Sequence, residues 1–135
     1  MAAMNSPTAP GNSNARAHLR AGWLALSEAS WAAAAAAFET ALRAEETPEA
    51  HDGLGIALWW LNEITASHHH RALAYRGFRQ NGTPGRAARI ACWLAREQVF
   101  LSSNFPAMHG WFRRAEQLLA GTEPSIERAW FFLMR

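Results

Sequence analysis

The sequence has no lysine and a single cysteine, Cys92, so all 13 of its basic residues are arginines. One cysteine excludes a disulfide bond within the chain and fits a reducing compartment. Long apolar runs are missing as well. Runs such as residues 29–38 are shorter than the roughly 20 residues that a membrane-spanning helix needs. These absences predict a cytoplasmic protein that does not enter a membrane.

Two further absences concern the start of the chain and the strands. Residues 1–14 are polar, rich in Pro, Ser and Asn, and lack the apolar segment of a signal peptide. We expect them to form a disordered leader. Residues 15–135 have the length of one domain. No segment alternates strictly between apolar and polar residues, so the sequence predicts an all-α fold without strands.

The charges that are present are unevenly distributed. Residues 1–63 hold three arginines and seven acids (−4), residues 64–115 hold eight arginines and one acid (+7), and residues 116–135 hold two arginines and three acids (−1). A basic middle beside an acidic front favours an acidic peptide or a second copy of the chain as partner. A solvated arginine face explains the same charges. Because the net charge is only +2, we expect no nucleic-acid binding.

Alanine is abundant, with six in a row inside residues 31–42, and it has the highest helix propensity of all residues. Proline opens predicted helices at Pro48, Pro84 and Pro124, which are separated by a nearly constant interval. Such a period is typical of stacked helical repeats. Predicted N-caps are Asn14, Ser30, Thr47 and Thr83. The predicted helices cover residues 15–28, 31–45, 48–61, 65–80, 84–101, 106–120 and about 125–135.

Small and aromatic residues follow the pattern of a known repeat. In residues 15–48 the signature positions hold Gly22, Trp31, Ala34, Phe38, Ala41 and Leu42. Residues 48–81 keep Leu54, Gly55 and Ala74, but Ser67 and Arg71 replace a small residue and an aromatic; residues 88–121 keep Leu94, Ala95, Ala107 and Trp111. The chain thus resembles tetratricopeptide repeats (TPR). The resemblance implies a right-handed TPR-like α-solenoid of three helical hairpins plus a C-terminal helix, over residues 15–135.

Four phrases are similar to the N-terminal helical region of LuxR-type transcription regulators: ALWWL, ALAYRGF, RAARIACWLA and GWFRRAEQLLAG. This resemblance implies the sensor or scaffold part of a regulator. Nothing in the chain resembles the helix-turn-helix that follows in those proteins, so DNA binding is not implied.

In the repeat family, the first helices of the hairpins line a concave groove that binds a peptide or protein segment. On α-helical geometry Arg86, Arg89, Trp93 and Arg96 share one side of a helix, where arginines beside a tryptophan suit a peptide carboxylate. Alternatively, Trp93 packs on the next repeat, or a small-molecule effector occupies a pocket of tryptophans. An open channel favours the peptide and an enclosed cavity favours the small molecule. The expected groove residues are Trp23, Glu49, Asp52, Trp59, Arg89, Trp93 and Arg96.

Catalytic and metal-binding patterns are weak. His68, His69 and His70 are consecutive, so their side chains diverge by about 100° on a helix and do not converge on one ion. We expect His70 to be partly packed and the other two to face outward. His51 and Asp52 are adjacent and therefore point apart. We expect no metal, no cofactor and no enzyme.

The C-terminal segment contains a continuous apolar run, residues 130–134. A helix that is apolar on all sides must be buried, whereas repeat arrays end in a helix with a polar outer face. We therefore predict self-association as a dimer or other homo-oligomer through residues 124–135. The alternatives are a missing next helix, or a helix that folds back along residues 106–120. The residues expected at the contact are Trp130, Phe131, Leu133 and Met134.

Overall fold

Helices account for most of the residues that the computed structural model describes, which are 10–120 and 125–134. Within these ranges there is no strand, so the all-α prediction is confirmed. The described helices are α1 (Pro10–Ser27), α2 (Trp31–Ala44), α3 (Pro48–Trp60), α4 (Ile64–Gln80), α5 (Pro84–Ser102), α6 (Phe105–Leu119) and α7 (Ile126–Met134). None of them is long and apolar enough to cross a lipid bilayer.

The first helix starts at Pro10, whereas the sequence predicted a start at Ala15. Proline is well suited to the first position of a helix, because it has no N–H to leave unpaired and its φ is already helical. Asn14 therefore lies within α1 and is not its N-cap. The remainder of the predicted leader, residues 1–9, lies outside the described residues.

The other predicted caps differ in their chemistry. Thr47 caps α3, since its hydroxyl oxygen accepts from the backbone N–H of Ala50 at 3.2 Å. Ser30 and Thr83 stand before α2 and α5 but make no such bond. The Thr83 hydroxyl instead donates to the carbonyl of Phe78 at 2.9 Å, which ties it to the preceding helix. The side chain therefore closes the turn and leaves the next helix uncapped.

Three short turns reverse the chain by the same device. Ala29, Asn62 and Ser103 have positive φ angles of 58°, 64° and 52°, and they lie after α1, α3 and α5. A left-handed residue at this position ends a helix and redirects the chain. As a result α1 packs against α2, α3 against α4, and α5 against α6. Further contacts join α2 to α3 and α4 to α5.

Phe38 is the centre of the first core cluster, which joins α2 and α3 with side chains of α1. Its ring is fully buried and fills the space beside two glycines. A Cβ at Gly53 would lie 2.2 Å from the Phe38 ring, and one at Gly22 would lie 2.7 Å from it. The aromatic ring and the two glycines therefore fit only together, which explains the close approach of α1 and α3 to α2.

The second core cluster lies between α4, α5, α6 and α7, and it contains the lone cysteine. Cys92 is fully buried in α5, and burial raises the pKa of its thiol to about 11. The thiol is thus protonated and shielded at neutral pH, and it behaves as a small apolar side chain.

The last helix is built into this second cluster. Phe131 and Met134 are only 2% and 9% exposed, and α7 packs against α5 and α6. These two side chains are therefore not available for the expected contact with a second copy, because the fold itself covers them. Leu133 is 79% exposed. The side chain of Trp130 lies outside the described residues.

Candidate functional site

A groove of about 400 Å³ collects charged side chains from several helices. We call it the charged groove. Its position depends on α3 and α5, which present their first two turns next to the C-terminal part of α1 and the start of α7. The groove is lined by Trp23, Glu49, Asp52, Phe78, Arg86, Arg89 and Glu127.

An ion pair forms the inner part of the charged groove. Nη2 of Arg89 donates to Oδ2 of Asp52 at 2.8 Å. The Asp52 side chain is only 8% exposed, whereas that of Arg89 is 36% exposed. Burial raises the pKa of Asp52 above its ordinary value, and the nearby guanidinium of Arg89 opposes part of this rise. Arg89 is thus held by a carboxylate while one side of it stays open to a ligand.

The rim of the groove carries a second and looser pair. Nη1 of Arg86 lies 3.5 Å from Oε1 of Glu49, and the two side chains are 53% and 38% exposed. Exposed pairs of this kind contribute at most about 1 kcal/mol, so they exchange partners easily. With Glu127 included, the lining holds three carboxylates against two guanidinium groups. The groove is therefore mixed in charge and not basic.

The structure brings together only part of the predicted groove. Four of the seven predicted residues line this groove: Trp23, Glu49, Asp52 and Arg89. Arg96 does not: it faces a different cleft, with Phe100, Met108 and Met134 among its neighbours. Phe78 and Glu127 line the groove but were not expected there. Phe78 comes from α4, a second helix of a hairpin, which the repeat pattern does not place on the groove side, and Glu127 comes from α7, for which no groove residue was expected.

Trp59 and Trp93 surround a buried arginine and do not line the charged groove. The guanidinium carbon of Arg71 lies 5.0 Å from the ring centre of Trp93 and 5.8 Å from that of Trp59. These are cation–π distances. The expectation of Trp93 as an exposed anchor was wrong, since Trp93 is half-buried against the second core cluster. Arg71 also occupies the space in which the two rings could have held a small molecule.

Arg71 belongs to a buried network that sequence reasoning missed. Nε of Arg71 lies 3.1 Å from Oε1 of Glu97, although the two atoms are not aligned for a hydrogen bond. The other carboxylate oxygen of Glu97 lies 2.9 Å from Nδ1 of His68, whose Nε2 faces Gln98 at 3.3 Å. Glu97 is fully buried. Burial lowers the pKa of Arg71, and the Glu97 carboxylate opposes that shift.

Gly55 of α3 has no side chain, and this leaves space for Arg71 where α3 and α4 approach each other closely. A Cβ at Gly55 would lie 2.8 Å from Cγ of Arg71, and the Ser67 hydroxyl donates to the carbonyl of Gly55 at 2.6 Å. Ser67 and Arg71 are the two residues of the second helix in residues 48–81 that depart from the repeat pattern. Together with Glu97, the one acid among residues 64–115, they were the available signal for a buried ion pair.

Histidines take part in two separate contacts, one between His51 and His70 and one between His68 and Glu97. His51 and His70 meet with their Nδ1 atoms 3.0 Å apart, and Nε2 of His51 lies 3.5 Å from a Glu46 carboxylate oxygen. Burial lowers the pKa of both, that of His70 to about 4. His70 is partly buried and His69 exposed, as expected, but His68 turns inward to Glu97. Across the described residues, no three His, Cys, Asp or Glu side chains are grouped to hold a metal ion.

Comparison of the chain with known proteins found no matching family model, no matching curated protein and no matching solved structure. The contacts within this molecule are thus the basis for inferring what it does.

Proposed function

We propose that the chain is a non-catalytic protein-interaction domain whose charged groove holds a segment of a partner protein. The observation that carries the proposal is the convergence, at one surface groove, of an accessible aromatic ring with one tight and one loose ion pair. Trp23 is 38% exposed and rests against Phe38 with ring centres 5.2 Å apart. A large aromatic ring that is held in place but accessible is the usual anchor of a protein interface.

The charge balance favours a partner segment that carries both signs. A ligand carboxylate can take the open side of Arg89 or replace Glu49 at Arg86. A ligand cation can in turn pair with the released Glu49 or with Glu127. An acidic segment alone would face three carboxylates, so we do not assign an acidic partner to this groove.

The lining residues favour binding over catalysis. Those that the structure describes include no serine, cysteine, threonine or histidine, and the buried carboxylate, Asp52, is held by Arg89. A general base or nucleophile needs a free lone pair directed at the substrate. The groove instead offers ring surface and charge pairs, which are the means of recognition.

The proposal extends to the architecture of the chain and to its role in a larger regulator. We infer a TPR-like right-handed solenoid of three hairpins followed by α7, serving as the sensor or scaffold part of a regulator. Short turns within α1–α2, α3–α4 and α5–α6, and packing between successive pairs, support this arrangement. The similarity of four sequence phrases to LuxR-type regulators is its second support.

The test selects ligands without assuming a natural partner. Random peptides displayed on phage are selected on the wild-type protein, and the affinity of the selected peptides is measured for three variants. Arg86→Ser changes the exposed rim, Trp23→Ala removes the ring, and Trp60→Ala is the control. Trp60 is 58% exposed and stacks on Trp31 outside the groove.

We expect both groove variants to weaken binding about tenfold or more, equivalent to about 1.4 kcal/mol, and the control to leave it unchanged. Because Trp23 also contacts Phe38, a thermal melt of each variant verifies that the fold is intact. Peptides that bind all three variants as well as the wild type would refute the groove as the binding site. Selection of no peptide, together with tight binding of a small aromatic compound, would favour the effector-site alternative.

A further inference from the structure

A second cleft, of about 640 Å³, differs from the charged groove in that its described lining has arginines and no carboxylate. It lies between α4 and α6, and its lining combines three guanidinium groups with two aromatic rings. We call it the arginine cleft. The lining residues are Ala72, Tyr75, Arg76, Arg79, Gln80, Trp111 and Arg114.

The three arginines of this cleft have no acidic partner among residues 10–120 and 125–134. The ion pairs seen for arginine in these ranges include those of Arg71, Arg86 and Arg89, and none joins an arginine of the cleft to a described acid. Glu46 and Arg76 line a neighbouring cavity together but form no ion pair. All three arginines of the cleft are exposed. Their charge is therefore not neutralised within the described fold and is available to a ligand.

The aromatic residues hold one of these arginines in position. The guanidinium carbon of Arg114 lies 4.5 Å from the centre of the Trp111 ring, and Trp111 meets Tyr75 nearly at right angles at 5.0 Å. Tyr75 is itself buried in the second core cluster. The cleft thus has a rigid aromatic floor, and a guanidinium that is already placed loses less conformational freedom on binding.

We propose that the arginine cleft binds an acidic segment of a partner protein. Carboxylate side chains suit guanidinium groups because the pairing is bidentate and planar. A nucleic acid fits less well, since single-stranded bases need free aromatic faces, and the Trp111 ring is already in contact with Arg114 and Tyr75. This inference is independent of the charged groove and accounts for three of the eight arginines in residues 64–115.

The experiment measures fluorescence anisotropy of a labelled oligoglutamate peptide with the full chain at low salt. Arg79→Ser/Arg114→Ser removes two charges from the cleft. Arg16→Ser/Arg20→Ser is the matched control, because it removes two charges from exposed positions on α1. We expect at least tenfold weaker binding for the cleft variant and less than a twofold change for the control. Arg79→Lys/Arg114→Lys retains the charge and is expected to recover part of the affinity.

Three results would overturn the inference. Equal weakening by the two double serine variants would mean attraction to net charge alone. Tighter binding of an oligothymidylate, lost in the cleft variant, would assign the cleft to nucleic acid. Self-association of the wild type that the cleft variant abolishes would assign it to a second copy. The oligoglutamate assay of the arginine cleft and the phage-selected peptides of the charged groove use different ligands and different variants, so a failure of either proposed site is distinguishable from a failure of the other.

Discussion

Glu97 combines full burial with contacts to two side chains that can carry positive charge, Arg71 and His68. A buried ion pair adds little stability over well-packed apolar residues, but removing one of its charges leaves the other unpaired in a medium of low polarity. The loss of stability on removing the Glu97 charge therefore depends on the surroundings of Arg71, the charge that remains. Arg71, which is 4% exposed and enclosed by two tryptophan rings, has no other carboxylate within ion-pair distance among the described residues.

From this we expect Glu97→Gln to lower the free energy of unfolding by about 3–5 kcal/mol, measured by urea denaturation. The exposed Glu63→Gln is the control and is expected to change it by less than about 0.5 kcal/mol. The double variant Arg71→Met/Glu97→Met removes both charges and is expected to recover most of the loss. A Glu97→Gln variant as stable as Glu63→Gln would contradict the buried pair.

The contact between His51 and His70 makes stability depend on pH. Burial lowers the pKa of His70 to about 4, and the neighbouring His51, whose Nδ1 lies 3.0 Å from that of His70, adds to the shift because it resists a second proton. A lowered folded-state pKa stabilises the protein above the ordinary histidine pKa of 6.5, and that stability is lost as the pH falls from 6.5 towards 4.

We expect this loss of stability to amount to about 1 kcal/mol, measured as the difference in the free energy of unfolding between the wild type and His70→Gln. It is smaller than the full pKa shift implies, because the ring is partly exposed. Urea denaturation at pH 7, 5.5 and 4.5 gives the difference directly. Subtracting the variant cancels the carboxylates that titrate in the same range. A difference that stays constant with pH would exclude the histidine pair as its source.

At the scale of the element, two helical glycines have opposite roles. In α3, a Cβ on Gly53 would overlap the Phe38 ring, whereas in α6 a Cβ on Gly110 would meet nothing within 4 Å. We expect Gly53→Ala to destabilise the protein by about 1–3 kcal/mol through overpacking. Gly110→Ala should stabilise it by about 0.5–1 kcal/mol, the usual gain in a helix. Thermal melts of the two variants give the change in melting temperature of each. Equal changes for Gly53→Ala and Gly110→Ala would argue against the α2–α3 packing.

The helices themselves could be predicted from the sequence because their signals are local. Pro48 and Pro84 open helices, and the turns at Ala29 and Asn62 end others, wherever the rest of the chain lies. The site is different. Helical spacing placed Trp93 and Arg89 on one side of α5, but it does not state that α4 places Arg71 over the Trp93 ring. That depends on Gly55 allowing Arg71 to approach, which is a contact between elements.

For the molecule as a whole, α7 completes the second core cluster, so its two faces should respond differently to mutation. Phe131→Ala removes a buried ring and is expected to cost about 3–5 kcal/mol in urea denaturation. Leu133→Ala changes an exposed side chain and should alter stability by less than about 0.5 kcal/mol. Similar losses for both variants would mean that Leu133 is covered too, as it would be in an oligomer. Light scattering of the wild type then shows whether Leu133 is covered in an oligomer or within a monomer.

The position of Cys92 has a practical consequence. A protonated thiol in the middle of α5, enclosed by the four helices of the second cluster, reacts with an aqueous disulfide reagent only when those helices separate. The rate of its modification in native buffer therefore reports how often the interior opens. The chain thus contains its own label for following unfolding in the absence of denaturant.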